Sequence, residues 1–242
     1  MTIPGCACAT TISRGLDLEE GFGLSATSAL TTAGSAASPL VYSFGHSSIG
    51  DNAKHFRILI DALAESVKRR MKEDPSAAHA GLIVDTFGQV DSLGHDLLMH
   101  AIRAFDVNVV LVMGHERLFA ELSRPLKSWR TAGVSEQIRI LKLPKSGGVR
   151  SLAPSSALPL GEDRKVDETQ VVRVDSMDVL VHSILAVVDA EGPEELTKKP
   201  ALGFIYVSEV DSVKGKLTLV TPCPGRLPRN VLVMGSYKWS DT

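Results

Sequence analysis

The sequence predicts an α/β protein: a parallel sheet with flanking helices, followed by a small β-rich C-terminal domain. Three observations carry this expectation. Between residues 39 and 143, short apolar runs alternate with amphipathic segments of helical period. Those runs, such as GLIVDT (81–86) and VNVVLVM (107–113), are apolar on both faces, as in strands covered by helices on either side. From residue 201 the pattern turns to β-rich segments separated by turn signals. The bulk properties agree with an ordinary globular chain. It has 242 residues, 44% hydrophobic and 22% charged, with mean hydropathy +0.09.

Taken in order, residues 22–38 (FGLSATSALTTAGSAAS) are small and polar without periodicity, and read as a flexible surface loop. PLVYSFG (39–45) reads as a buried strand between Pro and Gly punctuation. A long helix is expected over 50–74, with Phe56, Leu59, Ile60, Leu63 and Val67 at helical spacing and Asp51 or Asn52 as its cap. Lys68, Arg69, Arg70 and Lys72 fall in its last turns, where cations suit the helix dipole. Then come a strand (81–86), a turn (87–92), a helix (93–105) and a strand (107–113). HERLFAELSRPL makes a further short helix, and a strand spans about 136–143. Residues 149–168 lose all periodicity and read as a linker between a first domain, 1–148, and a second, 169–242. In that second domain 176–190 (SMDVLVHSILAVVDA) reads as an amphipathic helix, ahead of three β-rich segments.

Right-handed crossovers would bring the C-terminal ends of the parallel strands to one edge, where open α/β sheets hold ligands. That edge would carry FG (44–45), TFGQVD (86–91), MGHE (113–116) and PKSGG (144–148). The last loop, with Lys145 and successive backbone N–H groups, is either an anion nest or a connector whose glycines permit a sharp turn. Asp85 is either placed for magnesium or bonded to nearby amides in the turn. Asp91, His95, Asp96 and His115 tempt as a metal cluster. His95 and Asp96 are expected to point apart, however, and the cluster reads as solvated helix-start residues, with no metal. Cys6, Cys8 and Cys223 lack zinc-site spacing and suit a reducing compartment. The net charge of −2 announces neither nucleic acid nor an anionic membrane. No apolar run reaches the roughly 18 residues a membrane helix needs.

The chain contains no G-x-x-x-x-G-K-[ST]; its one Gly-Lys pair, Gly215-Lys216, precedes Leu217. There is no G-x-S-x-G either, so a hydrolase elbow is unsupported. Yet TIPG (2–5), LDLEEGF (16–22), PLVYSFGHSSIGDNAKHF (39–56), the segment 81–122, LPKSGGV (143–149), LPLG (158–161) and the segment 203–235 occur in an ordered series. In that series the sequence resembles the pre-mRNA cleavage-complex ATP-binding subunit family, relatives of the polyribonucleotide 5′-hydroxyl kinases. The resemblance implies a partial P-loop-NTPase-like domain that starts inside the family's central domain, with the phosphate loop lying upstream of IPG. It also implies a shortened lid, since only RSLAPSSA separates PKSGGV from LPLG. Kinase-competent relatives carry a Trp where this chain has Gln89, which offers no ring face to an RNA base.

The role implied by this resemblance is that of a scaffold in the nuclear mRNA 3′-end cleavage and polyadenylation machinery. The partners implied are cleavage factor IA subunits, with RNA met through the complex and no membrane. The family's cofactors are ATP and Mg2+, and this chain is expected not to retain them. Thr86, Gly88, Gln89 and Lys145 are the candidates for vestigial nucleotide or RNA binding. The rival reading is an ATP-dependent polyribonucleotide 5′-hydroxyl kinase. A third is a misassembled product, whose unpaired strand edges and uncovered apolar face predict low solubility or oligomerisation.

Overall fold

A computed structural model describes residues 5–12, 39–129, 137–144, 171–222 and 224–239. In order the elements are β1 (Cys6–Ala9), β2 (Leu40–Ser43), α1 (Ala53–Glu73), α2 (Pro75–Ala80), α3 (Ser92–Ala104), β3 (Val109–Met113), α4 (Glu116–Lys127) and β4 (Arg139–Leu143). After them come β5 (Ser183–Val188), β6 (Ala201–Asp211), β7 (Lys216–Val220) and β8 (Leu232–Lys238). The α/β class is as expected: a parallel strand pair with helices, then an antiparallel C-terminal sheet. The chain divides into two compact units, Met1–Thr86 with Glu168–Thr242, and Phe87–Asp167. These cuts differ from the division at 148 and 168, because the first strands group with the C-terminal sheet. The loop expected over 22–38 and the linker expected over 149–168 lie outside the described residues.

In the first unit β2 pairs antiparallel with β1, Cys6 opposite Ser43 and Ala9 opposite Leu40. It therefore does not join a parallel sheet as its apolar run suggested. A four-residue run states only that a strand will be buried; the partner that reaches its edge decides direction. Helix α1 buries Phe56, Leu59, Ile60, Leu63 and Val67, the set that its spacing marked. Asn52 caps it, its side-chain oxygen accepting from the His55 N–H at 2.9 Å. A hydrogen bond between the Tyr42 and Ser66 hydroxyls, 3.0 Å and buried, fixes β2 to the helix. Burial, with Cys8 as neighbour, pushes the Cys6 thiol up to about 12, so it stays protonated and unreactive near neutral pH.

Phe44 stacks on His55 with ring centres 5.7 Å apart and meets Phe56 edge-on at 5.5 Å. This burial lowers the His55 pKa below 6.5, and nearby His46 lowers it further, against a hydrogen bond to the Ser43 backbone that raises it. A depressed folded value means that the unfolded chain takes up its proton first as pH falls. The stabilising contribution is present above 6.5 and is lost as pH falls through the depressed value. Urea midpoints measured across that range are expected to fall with pH in the parent chain. They should fall less steeply in His55→Phe, which keeps a ring there and removes the titration.

Two expected elements differ. Residues 81–87 are irregular, with Ile83 95% exposed, where a strand was anticipated. Apolar composition does not make a strand without a neighbouring ladder to receive its backbone groups. The segment 176–190 is not a helix: a 3-10 turn (Met177–Leu180) leads into β5. There SILAVV lies between β6 and β8 in a four-stranded sheet of order β7-β6-β5-β8. A central strand buried on both faces shows no alternation, so its apolar residues fit a helical template equally well. His182, at φ 62°, sits in the left-handed region just ahead of β5 and ends any helical path.

This sheet buries Leu185, Val187, Ile205 and Val207 on one face and Ala186 and Val188 on the other. Strand β8 then meets the turn after β2 at two glycines. The Ser236 N–H and hydroxyl both donate to the Gly45 carbonyl, at 2.6 and 3.0 Å, and the Tyr237 hydroxyl donates to the His46 carbonyl at 3.1 Å. The FG loop at 44–45, expected to face a ligand, is instead a backbone junction with β8.

Candidate nucleotide-facing edge

The second unit holds the best-formed part of the expected ligand edge. Strands β3 and β4 run parallel, Val109 opposite Arg139 through Met113 opposite Leu143, with α4 between them in sequence. Leu118, Leu122 and Leu126 recur every four residues on α4 and pack with Leu98 and Ile102 of α3, Val112 of β3 and Ile138. Each such leucine, fully buried, contributes about 2 kcal/mol. This core fixes where the strand ends and the two helix starts lie.

Beyond β3 the chain turns at Gly114, φ 61°, whose N–H donates to the Leu143 carbonyl at 2.9 Å. His115 then caps α4, its Nδ1 accepting from the Leu118 N–H at 3.1 Å, so the ring proton belongs on Nε2. Glu116 opens the helix and pairs with Lys142 of β4. Within the same helix, Arg117 and Glu121 form an exposed pair at 2.7 Å that lowers the Glu121 carboxyl and raises the guanidinium.

The loop before α3 contains Gly88 and Gln89. Gln89 Nε2 donates to Asp91 Oδ2 at 2.8 Å, while Asp91 Oδ1 accepts from the Gly94 N–H at 2.8 Å. These two bonds, the backbone one first, hold the Asp91 carboxyl below its ordinary value. Asp91 is thus the N-cap of α3. The same loop presses on the helix, because a Cβ at Gly94 would meet the Gln89 backbone.

Of the four expected site residues, Gly88 and Gln89 share this loop. Thr86 is exposed at the end of the irregular 81–87 stretch and belongs to the other compact unit. Lys145 lies outside the described residues, as does most of PKSGG. Asp85 likewise ends no strand. His95 and Asp96, expected to point apart, approach to 3.9 Å between Nδ1 and Oδ1, and among the described residues no three His, Cys, Asp or Glu gather as a metal site. Sequence reasoning missed Gly94, although a glycine inside a helical pattern is itself a sign of close backbone approach. It also missed the Glu116–Lys142 pair, which depends on the β3–β4 register.

Chemically, both helix starts at this edge are already satisfied by the protein's own groups. Backbone N–H groups at a helix start attract anions; here the Asp91 carboxylate occupies one start, and His115 with Glu116 the other. Lys142 is spent on Glu116. The two described helix starts are thus capped from within the chain.

Comparison with known proteins places this arrangement. Residues 1–165 match the family model of "mRNA cleavage and polyadenylation factor CLP1 P-loop", and 134–241 that of "Pre-mRNA cleavage complex II protein Clp1". The whole chain is 32% identical to the "Protein CLP1 homolog" of Arabidopsis thaliana, of which it covers 61%. It is 30% identical to the "Polyribonucleotide 5'-hydroxyl-kinase Clp1" of Rattus norvegicus, covering 63%. The Arabidopsis match runs over 290 positions against 242 residues here, so that relative carries segments within the matched span that this chain lacks. Among solved structures, the wild-type Clp1p–Pcf11p complex superposes with a TM-score of 0.79 at 25% identity, over 100% of this chain and 65% of that one. A second Clp1p–Pcf11p structure gives 0.74 at 27% identity, over 98% and 64%. The chain spans less than two thirds of the length of these relatives.

Proposed function

The chain belongs to the Clp1 family of mRNA cleavage and polyadenylation factors, and from that membership we propose that it serves the nuclear pre-mRNA 3′-end machinery as an interaction subunit. The observation that carries the reading is the chemistry of the strand-end edge. Asp91 and Glu116 put carboxylates at both helix starts, and the one lysine of β4 is paired with Glu116. Phosphoryl transfer requires a phosphate cradle, metal ligands and charge-neutralising cations. These 242 residues contain no G-x-x-x-x-G-K-[ST]. Gln89 is engaged with Asp91 and offers no stacking face to a base. ATP and Mg2+ are therefore not assigned to this stretch of chain.

The partner class we propose is a Pcf11-type subunit of cleavage factor IA, because the two solved structures compared above are complexes with Pcf11p. RNA would be met through that complex. The kinase reading is kept because the rat relative bears that name.

One purified sample tests all three statements. Immobilised Pcf11-type protein is expected to recover the chain, and ATP with Mg2+ is expected to show no retention in calorimetry. No labelled phosphate should appear on a 5′-hydroxyl RNA oligonucleotide. Tight magnesium-dependent ATP retention, or transfer to RNA, overturns the non-enzymatic reading. Failure to recover the chain on Pcf11-type protein overturns the partner.

A further inference from the structure

The second unit separates its charges between two ends. Asp91 and Glu116 stand at the helix starts, beside the C-terminal ends of the strands. The opposite end collects cations: Arg103 in the last turn of α3, Arg124 and Lys127 in the last turn of α4, and Arg139 at the start of β4. Helices that alternate with parallel strands end where those strands begin. Hydrogen bonds fix that edge here. The Val107 N–H donates to the Ile102 carbonyl at 3.1 Å, and the Arg139 N–H to the Asn108 carbonyl at 3.0 Å. All of these residues belong to one compact unit, Phe87–Asp167.

The four cations are exposed, and among the described residues none of them is paired with a carboxylate. Arg117 and Lys142, towards the other end, are both paired. One described carboxylate, Asp106, stands at the cationic edge. The connection from Trp129 to Gln137 adds Arg130 and Glu136, which leave the balance unchanged. The helix dipole accounts for cations in last turns. It does not account for Arg139, which is on a strand, nor for Arg103, whose guanidinium carbon lies 3.8 Å from the centre of the Trp129 ring. Trp129 is itself packed on the core shared by α3 and α4. The indole therefore holds an exposed, planar cation in place at the surface.

We infer that this edge binds single-stranded RNA directly, with Arg124, Lys127 and Arg139 on phosphates and Arg103, held by Trp129, stacking on a base. The contact lies away from the strand-end edge and goes beyond a role in which RNA is met only through partner subunits. Charge complementarity selects a polyanion, and no ion pair has to break before these cations meet one. The platform selects RNA over an acidic protein segment, because bases stack on guanidinium planes and carboxylate side chains do not. Three phosphate contacts predict a slope of about 2 for the logarithm of the dissociation constant on that of salt. So few contacts make the binding weak, with a dissociation constant on the order of 10 μM.

The test is fluorescence anisotropy of the full chain with a labelled single-stranded RNA of about 12 nucleotides. From about 50 to about 200 mM salt the dissociation constant is expected to rise about 20-fold. Lys127→Gln and Arg139→Gln should each lower the salt slope by about 0.7. Arg103→Lys keeps the charge and loses the stacking plane, so it should weaken binding about tenfold with the slope unchanged. Lys214→Gln, in the other unit and paired with Asp211, is the control and should leave binding as it is. Each of these residues is exposed, so urea midpoints should match the parent; should Arg139→Gln shift its midpoint, Arg124→Gln replaces it. Oligoglutamate of equal charge is expected to bind about tenfold more weakly than the RNA. Absence of RNA binding at about 50 mM salt, slopes unmoved by the charge variants, or Arg103→Lys equal to the parent overturns the proposal. Oligoglutamate binding as tightly as RNA also overturns it and assigns the edge to an acidic protein segment. No Pcf11-type protein is in the sample, so the outcome is read apart from the partner assignment.

Discussion

Replacing Gly235 with alanine is expected to cost the first unit about 3 kcal/mol of stability. An added Cβ would lie 2.5 Å from the Gly45 Cα and 2.8 Å from its carbonyl carbon, and closer still to the carbonyl oxygen. All three atoms are backbone, so no side chain can rotate away. Relief requires β8 to withdraw from the turn after β2. That breaks the two Ser236 bonds to Gly45 and the Tyr237 bond to His46. Gly45, at a φ of 74° where glycine is favoured, makes the turn that presents its carbonyl to β8. In urea the loss corresponds to a fall in midpoint of about 1–2 M, for a slope of about 2 kcal/mol/M. Gly203→Ala, where an added Cβ meets nothing within 4 Å, is the control and should move the midpoint far less. Equal midpoints for the two variants would show that the junction does not hold the unit together.

The second large effect is expected at Gly94, on the candidate edge itself. A Cβ there would sit 2.8 Å from the Gln89 carbonyl carbon and closer to its oxygen. The loop 87–91 and the first turn of α3 would have to separate, at roughly 2–3 kcal/mol. The Gly94 N–H would then leave Asp91, removing the bond that chiefly depresses its carboxyl. A depressed carboxyl contributes stability above its ordinary value and loses it as pH falls through the depressed value. Gly94→Ala should therefore return the Asp91 titration toward the ordinary value and shrink that acid-side loss. Carboxyl NMR titration of parent and variant checks the first statement, and urea midpoints check the energetic one. An unmoved Asp91 titration would mean that the loop and helix move together and that Gly94 does not set their spacing.

Both predictions concern glycines whose importance lies in a close backbone approach. Gly94 carries a weak signal, since a glycine early in an amphipathic helix asks for a reason. Gly235 carries none, because its reason is Gly45, far away in the chain. The candidate site was legible to the same degree. The loop with Gly88 and Gln89 and the helix after it could be placed from punctuation and period. Asp91 at the helix start is a local, three-residue relation; that Lys142 would be held by Glu116 depended on a β3–β4 register that composition does not specify. The 81–86 strand and the 176–190 helix failed for one reason. Apolar residues report that a segment is to be buried, and what covers it decides its form.

By itself the sequence determined the α/β class, the existence of α1, α3 and α4, the core face of α1, the family, and the lack of a phosphate loop within these 242 residues. Each is a property of local period or of an ordered series of motifs, readable without knowing what touches what. The tertiary structure alone decided that β2 pairs antiparallel with β1, that SILAVV is a central strand, and that Gly45 meets Gly235. It also decided that β3 and β4 lie side by side in parallel, Val109 opposite Arg139. These are choices of partner, and partner choice is settled by backbone hydrogen bonds and close approaches between segments distant in the chain.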